Sequence, residues 1–85
     1  MAVLYTRTAL RALARAPANI RERIRDKIAL LDSDPEALAN NVTRLVGSDA
    51  WRLRVGDWRV IYKWQGPDPV VLVVLDVGPR GRIYE

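Results

Sequence analysis

The stretch Trp51-Arg52-Leu53-Arg54-Val55-Gly56-Asp57-Trp58-Arg59-Val60-Ile61-Tyr62-Lys63-Trp64 decides the fold. Its period is two. Trp51, Leu53 and Val55 alternate with Arg52 and Arg54, and then Trp58, Val60, Tyr62 and Trp64 alternate with Arg59, Ile61 and Lys63. Such alternation marks strands with one buried face. The Gly56-Asp57 pair between them is a two-residue loop that closes a tight β-hairpin. A loop of that length fixes the register. Val55 faces Trp58, Arg54 faces Arg59, Leu53 faces Val60 and Arg52 faces Ile61. One face of the ribbon then carries Trp51, Leu53, Val55, Trp58, Val60 and Tyr62, which form core. The other carries Arg52, Arg54, Arg59 and Lys63.

Directly opposed residues on one face of an antiparallel pair have Cβ atoms about 4.5–5.5 Å apart. Arg54 and Arg59 are such a pair, and like charges so placed repel. The arrangement makes sense when an anion sits between them, because arginine's planar fork pairs bidentately with phosphate. The competing reading is neutralisation by carboxylates, from Asp76 on the next strand or from a partner.

Toward the C-terminus, Gln65-Gly66-Pro67-Asp68-Pro69 is a second turn. Val70 to Val77 is a nearly continuous apolar run, as in a central strand covered on both faces. Lying antiparallel to 58–64, this strand returns its end beside the Gly56-Asp57 turn. That brings Arg80, followed by Arg82, toward Arg54 and Arg59. Gly78 and Gly81 permit close backbone approach. Tyr84 has two readings: it stacks on a base or acts as an acid–base group, or it packs on the sheet edge.

Toward the N-terminus, Ala2 to Thr6 reads as an edge or partner strand. Thr6 or Thr8 caps a first helix running to about Ala16, with Leu10 and Leu13 inward. A second helix follows Pro17, with Ile20, Ile24, Ile28 and Leu31 at helical spacing and Leu30 beside them. It ends at Ser33-Asp34-Pro35. Its charges, including Arg21, Arg23 and Arg25, read as a solvated face. Pro35 to Ala39 reads as a further helical turn capped by Asp34. Asn40 to Ala50 reads as a connection anchored by Leu45 and Val46. The sum is one α+β domain over residues 1–85, a helix hairpin packed on a small, mainly antiparallel, twisted sheet of about four strands.

Composition bounds the chemistry. The 85-residue chain has a net charge of +4, carried by twelve Arg and two Lys against ten acidic residues. Such a balance suits a polyanionic partner, or simply a soluble basic surface. There is no cysteine, which favours a reducing compartment. No secretory signal and no membrane-length apolar run is visible, so the expected location is cytoplasmic, with no membrane partner. There is no histidine, which excludes Ser-His-Asp and Cys-His catalysis. No metal and no small-molecule cofactor are expected.

Trp51-Arg52-Leu53-Arg54-Val55-Gly56-Asp57-Trp58-Arg59-Val60-Ile61-Tyr62, followed by Val73-Val74-Leu75-Asp76-Val77-Gly78-Pro79-Arg80, closely resembles the RelE/ParE toxin superfamily of bacterial toxin–antitoxin systems. The helix pair followed by Leu45-Val46-Gly47 also fits, so the resemblance covers nearly the whole chain. It implies a RelE-like fold. RelE-like members are ribosome-dependent mRNA endonucleases, or mRNA interferases, which cut the codon in the A site by attack of the ribose 2′-OH on the adjacent phosphate. By position, Arg52 and Arg54 match the family's basic strand residues, and Arg59 its phosphate-stabilising arginine. Arg80 matches the proposed proton donor to the leaving oxygen, and Tyr84 the late tyrosine that stacks on the substrate base. Arg54, Arg59, Arg80 and Tyr84 are thus the catalytic candidates, and Arg52, Lys63 and Arg82 the RNA-binding ones.

One departure stands out. Arg54 occupies the position where well-studied relatives have a lysine proposed as general base, and an arginine guanidinium is a poor base. Either Arg54 acts only electrostatically, or Tyr84 or Asp76 accepts the proton. The alternative within the superfamily is a ParE-like inhibitor that binds DNA gyrase and is no enzyme. The implied partners are the ribosome, its mRNA and an acidic cognate antitoxin anchored in the apolar groove between helices and sheet.

Overall fold

The computed structural model describes residues 3–81. The elements are β1 (Val3–Tyr5), α1 (Arg7–Arg15), α2 (Ala18–Ser33), a 3₁₀ segment (Pro35–Asn41), β2 (Val42–Arg44), β3 (Trp51–Val55), β4 (Trp58–Gln65) and β5 (Val71–Pro79). They form an α+β fold with one five-stranded sheet in the order β1-β5-β4-β3-β2. β1 runs parallel to β5, and every other neighbouring pair is antiparallel. Both helices cover the same face. Among the described residues, no helix is long and apolar enough to cross a membrane.

The β3–β4 hairpin has the register its two-residue loop dictates, with Arg54 opposite Arg59 and Leu53 opposite Val60. Gly56 holds the turn at φ +59°, which an L side chain adopts only under strain. Thr6 caps α1 and ties it to the sheet. Its hydroxyl accepts from the Ala9 N–H at 3.1 Å and donates to the Leu75 carbonyl at 2.6 Å. The core packs Ala9, Leu13, Ile24, Ile28 and Leu31 from the helices on Leu53, Val60, Leu72 and Val74 from the sheet. Burying each large side chain contributes about 1.5–3 kcal/mol.

Several expectations change. The sheet has five strands, because Val42–Arg44 is a strand rather than connection. It places Val42 opposite Leu53 and Thr43 opposite Arg52. Leu45 does anchor this region, packing on Ala50 and Ile61, but Val46 is fully exposed at the tip of the turn. Leu10 is 52% exposed. The inward stripe of α1 runs through Ala9, Ala12, Leu13 and Ala16, and Leu10 falls beside it. Arg21 is not part of a solvated face. It donates to the Leu13 and Ala16 carbonyls at 3.2 and 3.1 Å, satisfying the open C-terminal end of α1.

β5 is interior and paired on both edges, as its apolar run predicts, but it starts at Val71 and the helices cover only one of its faces, where coverage of both was expected. It also contains a bulge. Ile61 pairs with Asp76 and Tyr62 with Val74, leaving Leu75 unopposed. Before the bulge Leu72 and Val74 face the core; after it Val77 does. Asp76 therefore lies on the open face. Leu75 joins Leu45, Ala50 and Ile61 in a second small apolar cluster.

Candidate anion-binding site

The open face of the hairpin carries a small cleft of about 150 Å³, walled by Asn40, Asn41, Thr43, Arg52, Arg54 and Arg59. Strand pairing builds it. β3 supplies Arg52 and Arg54, β4 supplies Arg59 directly across, and β2 brings Thr43 opposite Arg52. The end of the 3₁₀ segment adds the two asparagines. Among the described residues no carboxylate lines this cleft. Its groups are guanidinium, amide and hydroxyl, all able to donate hydrogen bonds.

Arg59 is the most enclosed of these, at 8% exposure. Its Nη1 donates to the carbonyls of Gly56 at 3.2 Å and Trp58 at 3.1 Å, so the turn itself holds the guanidinium. On its other side Arg59 pairs with Gly78, which offers no side chain to crowd it. Arg54 is exposed and Arg52 half-buried.

Arg80 arrives at the same turn. Its main-chain N–H donates to the Asp57 carbonyl at 2.7 Å, but the residue stands outside the cleft walls. Lys63 is on the open strand face opposite Val73. Four residues of strand separate it from Arg59 by about 13 Å, so it is not part of the cluster. Arg82 and Tyr84 lie outside the described residues. Asp76 lines neighbouring grooves rather than the cleft, and its Oδ1 accepts from the Val77 N–H at 2.8 Å.

Sequence reading missed Asn40, Asn41 and Thr43, whose contribution depends on β2 pairing. It also missed Arg23, whose guanidinium reaches from α2 to the hairpin turn. A Cβ at Gly56 would sit 3.4 Å from it. On the helix-covered side, a groove of about 370 Å³ runs past Leu31, Pro35, Val42, Trp51, Tyr62 and Trp64. Tyr62 and Trp64 meet edge to face there, with centroids 6.2 Å apart. Burial pushes the Tyr62 hydroxyl up to about 12. Tyr5 is also raised by burial, with Arg25 pulling it the other way.

A family model described as ParE toxin of type II toxin–antitoxin system, parDE, matches residues 3–84. The chain belongs to the ParE toxin family. Its fold is that of the wider RelE/ParE superfamily. The archaeal RelE–RelB complex from Pyrococcus horikoshii OT3 matches at TM-score 0.77 and 29% identity, over 95% of this chain and 96% of that one. The YoeB/ParE toxin from Agrobacterium tumefaciens matches at TM-score 0.79 and 22% identity, over 94% and 99%. The toxin of the intact E. coli RelBE complex matches at 0.74 and 22% identity, over 95% and 98%. No curated protein sequence matches the chain. The chain is thus a toxin of a type II toxin–antitoxin system.

Proposed function

We propose that this toxin is a ribosome-dependent mRNA endonuclease. The observation that carries the proposal is the cleft in which Arg54 and Arg59 oppose each other across the hairpin with Arg52 alongside. A phosphodiester is the anion that such a row of guanidinium groups holds through charge-assisted, bidentate hydrogen bonds. In the reaction the 2′-OH gives its proton to a water molecule and its oxygen attacks phosphorus. The bond to the 5′-oxygen breaks and that oxygen gains a proton, leaving a cyclic phosphate and a free 5′-OH. The phosphorane between them carries extra negative charge, which fixed guanidinium groups stabilise. Arg59 is preorganised for this by its bonds to the turn. Arg80, tied beside the same turn, is the candidate donor to the leaving oxygen. Arginine is a poor base, so Arg54 acts electrostatically in this scheme.

The family match favours a second reading, inhibition of DNA gyrase. Mapping mRNA 5′ ends after induction, with and without translation, separates the two. Translation-dependent cuts within codons are expected. Intact mRNA with gyrase-linked DNA breaks would overturn the endonuclease reading. In either case we propose an acidic antitoxin as partner, its apolar residues seated in the groove beside Trp51, Tyr62 and Trp64. The P. horikoshii and E. coli relatives were crystallised as complexes with RelB.

A further inference from the structure

The arginines of α1 take no part in the site above. The helix reads Arg7-Thr8-Ala9-Leu10-Arg11-Ala12-Leu13-Ala14-Arg15, with an arginine every fourth residue and no acid. All three arginines are exposed. Like charges four apart on a helix repel, and Arg7 in the first turn also opposes the helix dipole. Folding alone would favour a glutamate among them.

Two of these arginines border a groove. It holds about 390 Å³, with Thr8, Arg11 and Arg15 on one wall and Trp58, Gly78 and Pro79 on the other. Asp76 lines it as well, with its Oδ1 accepting from the Val77 N–H. The groove reaches Pro79. The next residue is Arg80, whose N–H is tied to the Asp57 carbonyl in the turn that holds Arg59.

We infer that this groove is a second contact for single-stranded RNA, a track leading along α1 to the Arg80 turn. Helical residues four apart rise about 6 Å along the axis, comparable to the step between consecutive phosphates of a strand. Arg11 and Arg15 can thus meet successive phosphates. The half-buried Trp58 indole gives the opposite wall a surface on which a base stacks. A basic groove joined to an aromatic wall is the usual construction for binding single strands. A run of carboxylates alone would use the arginines but leave the indole idle. The choice of RNA rests on the function proposed above.

The test uses the full chain and a labelled single-stranded RNA oligonucleotide, with affinity measured across a salt series. Arg11→Ala/Arg15→Ala is expected to weaken binding about tenfold or more. It should also lower the salt slope by about 1.4, the value for two lost phosphate contacts to a single strand. Arg25→Ala/Lys27→Ala removes equal charge from exposed α2 positions and should change affinity by less than about twofold. Unfolding midpoints, expected to stay near wild type, check that these surface variants fold. Wild-type affinity and slope in the α1 variant overturn the inference. So does a poly-glutamate peptide that binds as tightly as RNA and is lost with the same variant, which assigns the groove to an acidic protein. The two proposals fail separately. An α1 variant that loses RNA while the wild type leaves cellular mRNA intact supports the groove and refutes cleavage. An α1 variant that binds normally while the wild type cuts mRNA does the reverse.

Discussion

On the helix-covered face of the β3–β4 hairpin, Leu53 and Val60 are fully shielded. One residue away along the same strands, on the other face, stand Arg52, Arg54 and Arg59 around a polar cleft. The first face is what a folding chain needs. The second sets like charges side by side, at a cost that folding does not require. The difference teaches that stability and activity are carried by alternate residues of the same two strands. Neighbouring substitutions should then have opposite signatures.

The widest separation is expected within β3. Leu53→Ala should cost about 2–5 kcal/mol of unfolding free energy, measured by urea denaturation. Arg54→Ala should cost less than about 0.5 kcal/mol. If Arg54→Ala unfolds the chain, or Leu53→Ala leaves the midpoint unmoved, the division between the faces breaks.

Arg59 tests the boundary, because it is enclosed yet faces the cleft. Arg59→Ala should reduce mRNA cleavage about 100- to 1000-fold, as for loss of one preorganised charge-stabilising donor. It should also cost about 1 kcal/mol of stability, because the Gly56 and Trp58 carbonyls lose a donor. Growth arrest on induction reads the first effect and denaturation the second. A fully toxic Arg59→Ala removes the residue from the proposed chemistry.

The covered face has a signature in pH. Tyr62 ionises at about 12 when folded, against an ordinary value near 10 in the unfolded chain. Below pH 10 both states hold the proton. Between pH 10 and 12 only the unfolded state releases it, so stability should fall by roughly 2 kcal/mol across that window. Tyr62→Phe should remove that part of the slope. The smallest effect expected is a gain. Arg54→Lys supplies an amine that gives up its proton more readily, and should raise cleavage about tenfold at alkaline pH.

The hairpin and its arginine pair were legible because a two-residue loop leaves the register no freedom. The α2 stripe was legible because Ile24, Ile28 and Leu31 repeat at helical spacing. Local pattern does not reach the rest. β2 is three residues long, and its pairing with β3 is what puts Thr43 beside Arg52. Asn40 and Asn41 enter the cleft only through that pairing. The outward turn of Leu10 follows from where Thr6 starts the helix. The role of Arg21 follows from where α1 stops.

The unopposed Leu75 has a consequence for anyone splicing or aligning relatives of this chain. Counted from its first residue, β5 changes phase at that position, so inside and outside trade parity halfway along. An ungapped alignment with a relative lacking the extra residue would set Asp76 against an apolar position. It would make a conserved pattern look like a radical replacement. Deleting Leu75 alone would restore strict alternation and keep Asp76 outside and Val77 inside. Deleting a residue on either side, with the bulge kept, would turn half the strand over. Tolerance of deletions in β5 should therefore concentrate at the bulge itself, at Leu75 and Asp76.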